Sequence, residues 1–181
     1  MAQALGFCLF PTAIGACGIA WAQDVLVGVQ LPGASDEMGR ARMRGRFPGV
    51  PETQPPPSVQ AAITRIQALL EGQADGLEDL RLDMTGVPEF NQRVYEVARA
   101  IPPGRTLTYG EVAAKIGEPG ASRAVGQALG HNPFAPVVPC HRVLAAGNRS
   151  GGFSAEGGVD TKLRMLEIES AQFGSQPGLF G

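Results

Sequence analysis

Histidine is nearly missing from this chain: His131 and His141 are the only two in 181 residues. Cysteine is scarce as well, with Cys8, Cys17 and Cys140, and no histidine lies near the first two. That excludes a disulfide framework and a structural zinc set, and it suits a reducing, cytoplasmic compartment. No lysine or arginine precedes Arg40. The apolar first 22 residues, ending Ala20-Trp21-Ala22, therefore lack the basic region of a secretory signal. Gly6, Pro11, Gly15 and Gly18 also break any long helix there, so the stretch reads as strands. No apolar run is long enough to span a bilayer, so no membrane partner is expected. Positive charge is not in excess either, with a formal net charge of −2. A bulk polyanion binder is excluded, and contact with nucleic acid must rest on local features. Residues 1–85 carry six Lys and Arg against nine Asp and Glu, while residues 86–181 carry nine against eight. The second half is the better candidate for a polyanion.

What the chain does have is 44% hydrophobic residues, enough for a real core, with 25 glycines and 15 prolines for turns. Residues 5–10, 16–22 and 25–31 are short β-branched and aromatic runs, with a turn near Gln23-Asp24. Arg42 to Phe47 alternates, which predicts an edge strand with three arginines on one face. Those arginines would touch DNA phosphate or simply be solvated. Pro48 to Pro57 holds five prolines and reads as a loop. A helix begins at Ser58, with Val59, Ala62, Ile63, Ile66 and Leu70 as its apolar stripe and Gly72 as its stop. Leu80-Arg81-Leu82 reads as another strand. This first unit shows no catalytic cluster and is a scaffold.

A second unit opens at Pro88. Phe90, Val94, Val97 and Ile101 lie at helical spacing, and Pro102-Pro103-Gly104 ends that helix. Thr108 and Glu111 form a capping box for the next one, with Val112, Ala113 and Ile116 inward. Gly117 to Gly120 is a turn, and a further helix runs from Ala121 or Ser122 to Leu129. Helix, Gly-rich turn, helix is the helix-turn-helix pattern. Its second helix is made of small residues around Arg123: Ala121, Ser122, Ala124, Gly126 and Ala128. Gly126 and Gly130 each weaken a helix by about 1 kcal/mol relative to alanine. Such a helix serves either close packing or close approach to a nucleic-acid backbone.

Pro136 to Val143 (PVVPCHRV) is the most unusual stretch. Val137 and Val138 suit a buried strand, and Pro139 biases Val138 toward an extended backbone. Cys140 would sit at the mouth of that strand, where His141 and Arg142 are expected to lower its pKa. The other reading is an inert core cysteine with His141 on a backbone carbonyl. A Gly-rich loop follows, through residues 151–158. Asp160 then caps a last helix with Leu163 and Leu166 inward and Glu169 one turn on.

PVVPCHRV, with Arg123-Ala124-Val125-Gly126 and Asn132-Pro133 before it, resembles the methylated-DNA–protein-cysteine S-methyltransferases, also called alkylguanine-DNA alkyltransferases. The resemblance is dense over Phe90 to Ser170. It implies an α+β protein in two domains. Residues 1–85 would be a ribonuclease-H-like α/β scaffold without nuclease carboxylates. Residues 86–181 would be a helical, helix-turn-helix (winged-helix-like) domain that binds DNA and accepts the alkyl group.

The resemblance also assigns roles. Cys140 is the acceptor, His141 its base through a water, and Glu169 the carboxylate that orients the histidine. Asn132 is a hinge, and Tyr109 helps to flip the nucleotide and protonates the leaving base. Arg123 enters the stack, while Ala121, Ser122, Ala124, Gly126 and Gln127 line the DNA. Val138 offers a carbonyl to the guanine amino group, and Ser154 belongs to the pocket. The implied partner is double-stranded DNA carrying guanine alkylated at the position-six oxygen; thymine alkylated at the position-four oxygen is a second candidate. The implied reaction is single-turnover direct reversal by a monomer, with no cofactor, no metal and no obligate protein partner.

Three other functions compete. A lesion-binding relative that flags damage lacks the cysteine, so Cys140 argues against it. A thiol hydrolase would turn over small esters. A DNA-architectural protein would be indifferent to loss of Cys140.

Overall fold

The computed structural model describes residues 3–146 and 158–170. The chain forms a mixed α/β fold. Its first three strands are β1 (Gly6–Thr12), β2 (Gly15–Trp21) and β3 (Leu26–Gln30). They make an antiparallel sheet in the order β1-β2-β3, with an irregularity in register at Ala20/Trp21. Both edges are partly covered by single parallel bridges. Phe7 pairs with Glu52 outside β1, and Leu26 and Val29 pair with Leu82 and Phe134 outside β3. Each bridge removes part of an edge that could otherwise pair with another chain.

The next element corrects the sequence reading. Residues 42–46 are not an edge strand: they close helix α1 (Asp36–Arg46). The alternation from Arg42 is the tail of a helix that starts six residues earlier, at Asp36. Ser35 caps it, its hydroxyl accepting from Met38 N at 3.1 Å. Asp36 and Glu37 lie in the first turn and Arg44 and Arg46 in the last, which suits the helix dipole. Gly39 and Met43, four apart, are buried, with Met43 packed among Phe7, Ala20 and Val27. The arginines therefore do not share a face. Arg42 and Arg44 are exposed, while Arg46 turns inward.

The proline-rich loop leads into α2 (Pro57–Leu69), which starts one residue before Ser58 with Pro57 in its first turn. Its predicted stripe is buried, and Gly72 follows with φ +101°, a left-handed turn that glycine adopts without strain. Leu80-Arg81-Leu82 forms only the one bridge from Leu82 to Leu26, not a strand. The Arg99 guanidinium holds the carbonyls of Leu77, Glu78 and Leu80, which fixes this segment as a loop.

Helix α3 (Glu89–Arg99) is followed by β4 (Leu107–Thr108) and α4 (Tyr109–Lys115), where both hydrogen bonds of the Thr108–Glu111 capping box are made. Helix α5 (Ser122–Gly130) packs against α3 and α4. Strand β5 (Val143–Leu144) pairs in parallel with β4, and α6 (Gly158–Ile168) ends the described chain. Asp160 lies within the first turn of α6 rather than capping it. One continuous apolar cluster joins Ile19 and Val29 of the sheet, Ile63 and Ile66 of α2, Val94 and Ala98 of α3, and Val138 and Cys140. Truncating a side chain such as Ile66 to alanine there costs about 2–5 kcal/mol. No helix among the described residues is long and apolar enough to cross a membrane.

Candidate active site

The site is built on the turn that follows α5. His131 caps that helix, its Nδ1 donating to Gln127 O at 2.8 Å. Asn132 then closes the next loop on itself. Its Oδ1 accepts from Phe134 N at 2.9 Å, and its Nδ2 donates to Val138 O at 2.7 Å. Val138 N donates to Phe134 O at 3.0 Å. These bonds hold residues 133–138 as successive turns, so Val137 and Val138, though buried, are not the predicted strand. Cys140 is not at a strand end either, because Cys140–Arg142 is one turn of 3₁₀-helix.

The Val138 carbonyl accepts from Asn132 Nδ2 and from Cys140 N. With Asn132 it fixes the backbone of Cys140.

Three charged or polar side chains converge behind the cysteine. His141 Nε2 lies 2.9 Å from Glu169 Oε2. Arg142 grips the same carboxylate, Nε to Oε1 at 2.9 Å and Nη2 to Oε2 at 2.7 Å, and donates Nη1 to Ile101 O at 2.8 Å. The side chains of His141, Arg142 and Glu169 are 0%, 1% and 2% exposed. Burial alone would raise the Glu169 carboxyl, but His141 and Arg142 outweigh it and hold the group down at about 2. An ionised carboxylate only accepts, so the proton between the two groups sits on His141 Nε2. Burial lowers His141 against the pull of Glu169, which leaves the ring neutral. Its Nδ1 is then the lone pair, and it is buried without a partner among the described residues.

The cysteine behaves differently from the sequence expectation. Cys140 is 7% exposed, and burial pushes its thiol up; Asn132, Lys162 and the local backbone N–H groups oppose this without reversing it. A neighbouring histidine and arginine do not depress it, because His141 is uncharged and the charge of Arg142 is taken up by Glu169. The resting pair is a thiol and a neutral imidazole, so the proton must leave as the bond to sulfur forms.

Lys162 and Tyr95 escaped the sequence reading. Lys162 is 1% exposed, donates to Val143 O at 2.8 Å, and stands 5.8 Å from the centre of the Tyr109 ring. Burial lowers its pKa to about 8, against the pull of Cys140. Lys162 is thus a buried cation close to the nucleophile. Its position three residues before the buried Met165, on the inward face of α6, was the available signal. Tyr95 is buried in α3 and donates its hydroxyl to Ala128 O at 2.6 Å, tying α3 to α5. Arg142 was read only as a charge next to Cys140; its grip on Glu169 needs a partner 27 residues away.

The remaining predicted residues divide by position. Tyr109, the first residue of α4, is partly buried, and burial and then Cys140 raise its hydroxyl. Ser122, Arg123 and Gln127 are exposed on α5, with Ala121, Ala124 and Gly126 partly so. A Cβ built on Gly126 or Gly130 meets nothing within 4 Å. Internal packing therefore does not require these glycines, and α5 presents a low, bare outer face. Ser154 and most of the Gly-rich loop lie outside the described residues. No cluster of three metal-ligating side chains occurs among the described residues.

Known proteins resemble this chain in sequence and backbone. The family model described as the 6-O-methylguanine DNA methyltransferase DNA-binding domain matches residues 89–171. The methylated-DNA–protein-cysteine methyltransferase of Mycobacterium tuberculosis H37Rv is 41% identical over 128 residues, which are 71% of this chain and 75% of that protein. Its namesake in Methanothermobacter thermautotrophicus is 38% identical over 125 residues, 69% of each chain. The Mycobacterium tuberculosis OGT solved in complex with DNA superposes with a TM-score of 0.74 at 34% identity, over 97% of this chain and 99% of that one. The O6-methylguanine-DNA methyltransferase of Pyrococcus kodakaraensis gives 0.68 at 26% identity, over 90% and 98%. With agreement of this extent in both sequence and backbone, the chain belongs to the methylated-DNA–protein-cysteine methyltransferase family.

Proposed function

We propose that this protein repairs alkylated DNA by direct reversal, moving a methyl or larger alkyl group from the position-six oxygen of guanine onto Cys140. The observation that carries this reading is His141. Its Nε2 is committed to Glu169, and its buried Nδ1 has no partner among the described residues. That is a base in the correct tautomer beside a nucleophile, with a third group holding it.

A base inside a duplex cannot reach a buried thiol, so the nucleotide is extruded first. Arg123 fills the stack, and the small residues of α5 let the duplex come close. The Cys140 proton passes to His141 Nδ1, through a water in the family pattern. Sulfur forms its bond to the alkyl carbon as the bond from that carbon to oxygen breaks. Guanine leaves with the electron pair and is neutralised by a proton, for which Tyr109 is the donor. The product thioether does not hydrolyse, so each molecule acts once. Asn132 holds the loop, and no step calls for a metal or cofactor.

The same reading extends to organisation. Residues 1–85 act as a ribonuclease-H-like scaffold, supported by the three-stranded antiparallel sheet with α1 and α2. Residues 86–181 act as a helix-turn-helix, winged-helix-like DNA-binding domain, supported by α4, the Gly117–Gly120 turn and α5. The protein works as a monomer in the cytoplasm, in keeping with its three free cysteines.

Intact-mass spectrometry after incubation with duplex DNA containing O6-methylguanine tests the function. Wild type should gain one CH₂ on Cys140. Cys140→Ala should gain none yet still shift methylated DNA on a gel, because α5 supplies the grip. Transfer by Cys140→Ala, or none by wild type, sinks the reading.

A further inference from the structure

The first 85 residues carry no catalytic group, yet one of their side chains reaches the active-site loop. Arg46, the last residue of α1, turns inward across β3. Its Nη2 donates to Pro133 O at 3.0 Å, and its Nη1 lies 3.4 Å from Val29 O and 3.5 Å from Gln30 Oε1. Pro133 O also accepts from Val29 N at 3.0 Å. One carbonyl next to Asn132 is therefore held twice, by a strand and by a helix of the N-terminal sheet.

The room for this contact is built in. Arg46 and Phe47 cross β3 over Gly28, where a Cβ would come 2.8 Å from Arg46 Nη2 and 2.5 Å from Phe47 Cζ. Only a residue without a side chain lets the guanidinium lie there. The guanidinium also stacks on Phe47, 5.2 Å from the ring centre. Burial lowers its pKa to about 10, which leaves it charged at neutral pH.

From Pro133 the bonds continue without a gap. Asn132 precedes it, and through Phe134 N and Val138 O its side chain closes the loop on which the Cys140 backbone hangs. We infer that Arg46 is a positioning residue for alkyl transfer, acting from the N-terminal sheet through the Pro133 carbonyl and the Asn132 hinge to place Cys140. The N-terminal half then sets the geometry of the reaction and does more than support the fold. This rests on the alkyl transfer proposed above.

The test is the single-turnover rate constant of full-length protein, at saturating methylated duplex and with free O6-methylguanine base, well below the melting temperature. Arg46→Met should slow both reactions by about tenfold to a hundredfold, the scale of a displacement of about 1 Å at a reacting group. Gel-shift affinity for methylated duplex should hardly change, because Arg46 faces the protein interior. Gly28→Ala, which pushes the guanidinium aside, should reproduce the defect and add nothing to Arg46→Met. In an Asn132→Ala background, Arg46→Met should cause little further slowing, since both act on one loop.

A purely structural arginine gives another result: a lower melting temperature with the wild-type rate constant, or full multiplication of the Arg46 and Asn132 defects. Either overturns the inference. Should Arg46→Met not fold, Arg46→Lys carries the test. It lacks the fork that spans Pro133 and Val29, so a wild-type rate would refute the role and a slower one would support it. Absence of transfer by wild type would sink the proposed function itself and is read separately.

Discussion

Arg142 and Glu169 form a two-pronged buried pair, and one of its two carboxylate oxygens, Oε2, is also the acceptor for His141. The carboxylate that orients the histidine is therefore largely neutralised from its other side. Together with burial, the larger cause, this leaves His141 uncharged in spite of its acidic neighbour, with a base at Nδ1.

Glu169→Gln is then more than the loss of an orienting charge. It leaves the Arg142 guanidinium buried without a counter-charge, which should cost about 3–5 kcal/mol of stability. The amide can also turn its NH₂ toward His141 Nε2 and release the tautomer. Single-turnover transfer should slow by about a hundredfold. Adding Arg142→Met should restore much of the melting temperature but little of the rate. Thermal melts and quenched-flow kinetics on both variants check this, and a Glu169→Gln protein that melts like wild type would refute it.

Stability should also fall with acid in a defined window. In the unfolded chain Glu169 has an ordinary carboxyl pKa of about 4.3, and in the fold it is held at about 2. Its contribution is complete above the ordinary value and is lost as pH drops from there toward 2. The size is ~3 kcal/mol. His141, lowered by burial, acts in the same direction from its ordinary value downward, because the unfolded chain takes up the proton first. Urea unfolding from neutral pH to pH 3 should show the fall, with a flatter acid limb in Glu169→Gln.

Lys162 makes a prediction about rate against pH. As a protonated cation it helps to draw the Cys140 thiol down, and with a pKa of about 8 it keeps that charge at neutral pH. Lys162→Met should slow transfer near pH 7, and the two proteins should converge above about pH 8 as wild-type Lys162 loses its proton. Exchanging a buried charge for an apolar chain of similar length should leave the melting temperature nearly unchanged. Single-turnover rates across that range decide; equal rates near pH 7 would refute a role for the Lys162 charge in activating Cys140.

Arg123 should separate duplex from free base. It is exposed on α5, away from the buried hydrogen-bond network. Arg123→Ala should slow repair of methylated duplex by about tenfold or more, because flipping costs a few kcal/mol that free O6-methylguanine does not need. Rates on the two substrates, measured side by side, test this; equal slowing would mean that Arg123 supports the fold.

The features legible in the sequence were the local ones. The Thr108–Glu111 box, the α2 stripe and the glycine turns are fixed by residues within one or two turns of each other, and they fold as read. The alternation of Arg42, Arg44 and Arg46 misled because six residues fit a strand, while the cap at Ser35 and the buried pair Gly39 and Met43 decide for a helix. Val137 and Val138 have strand propensity, but Asn132 closes them into a turn, a tertiary effect on a local preference. Cys140 and His141 stood out by residue type, and Glu169 through the family resemblance. The buried Lys162, the Arg142 fork and the Arg46 contact did not, because burial of a charged chain is settled by distant partners: Val143 and Tyr109, Glu169, and Pro133.

Gly126 and Gly130 have open space around them, and their absent side chains relieve no contact inside the protein. A screen for thermal robustness would choose these positions first, since alanine at either should stabilise α5 by up to about 1 kcal/mol. The same two methyl groups would rise from the face that DNA is proposed to approach. Hardening this protein against heat at α5 would thus be bought with its ability to reach damage, and a heat-selected variant carrying alanine there should be screened for repair before use.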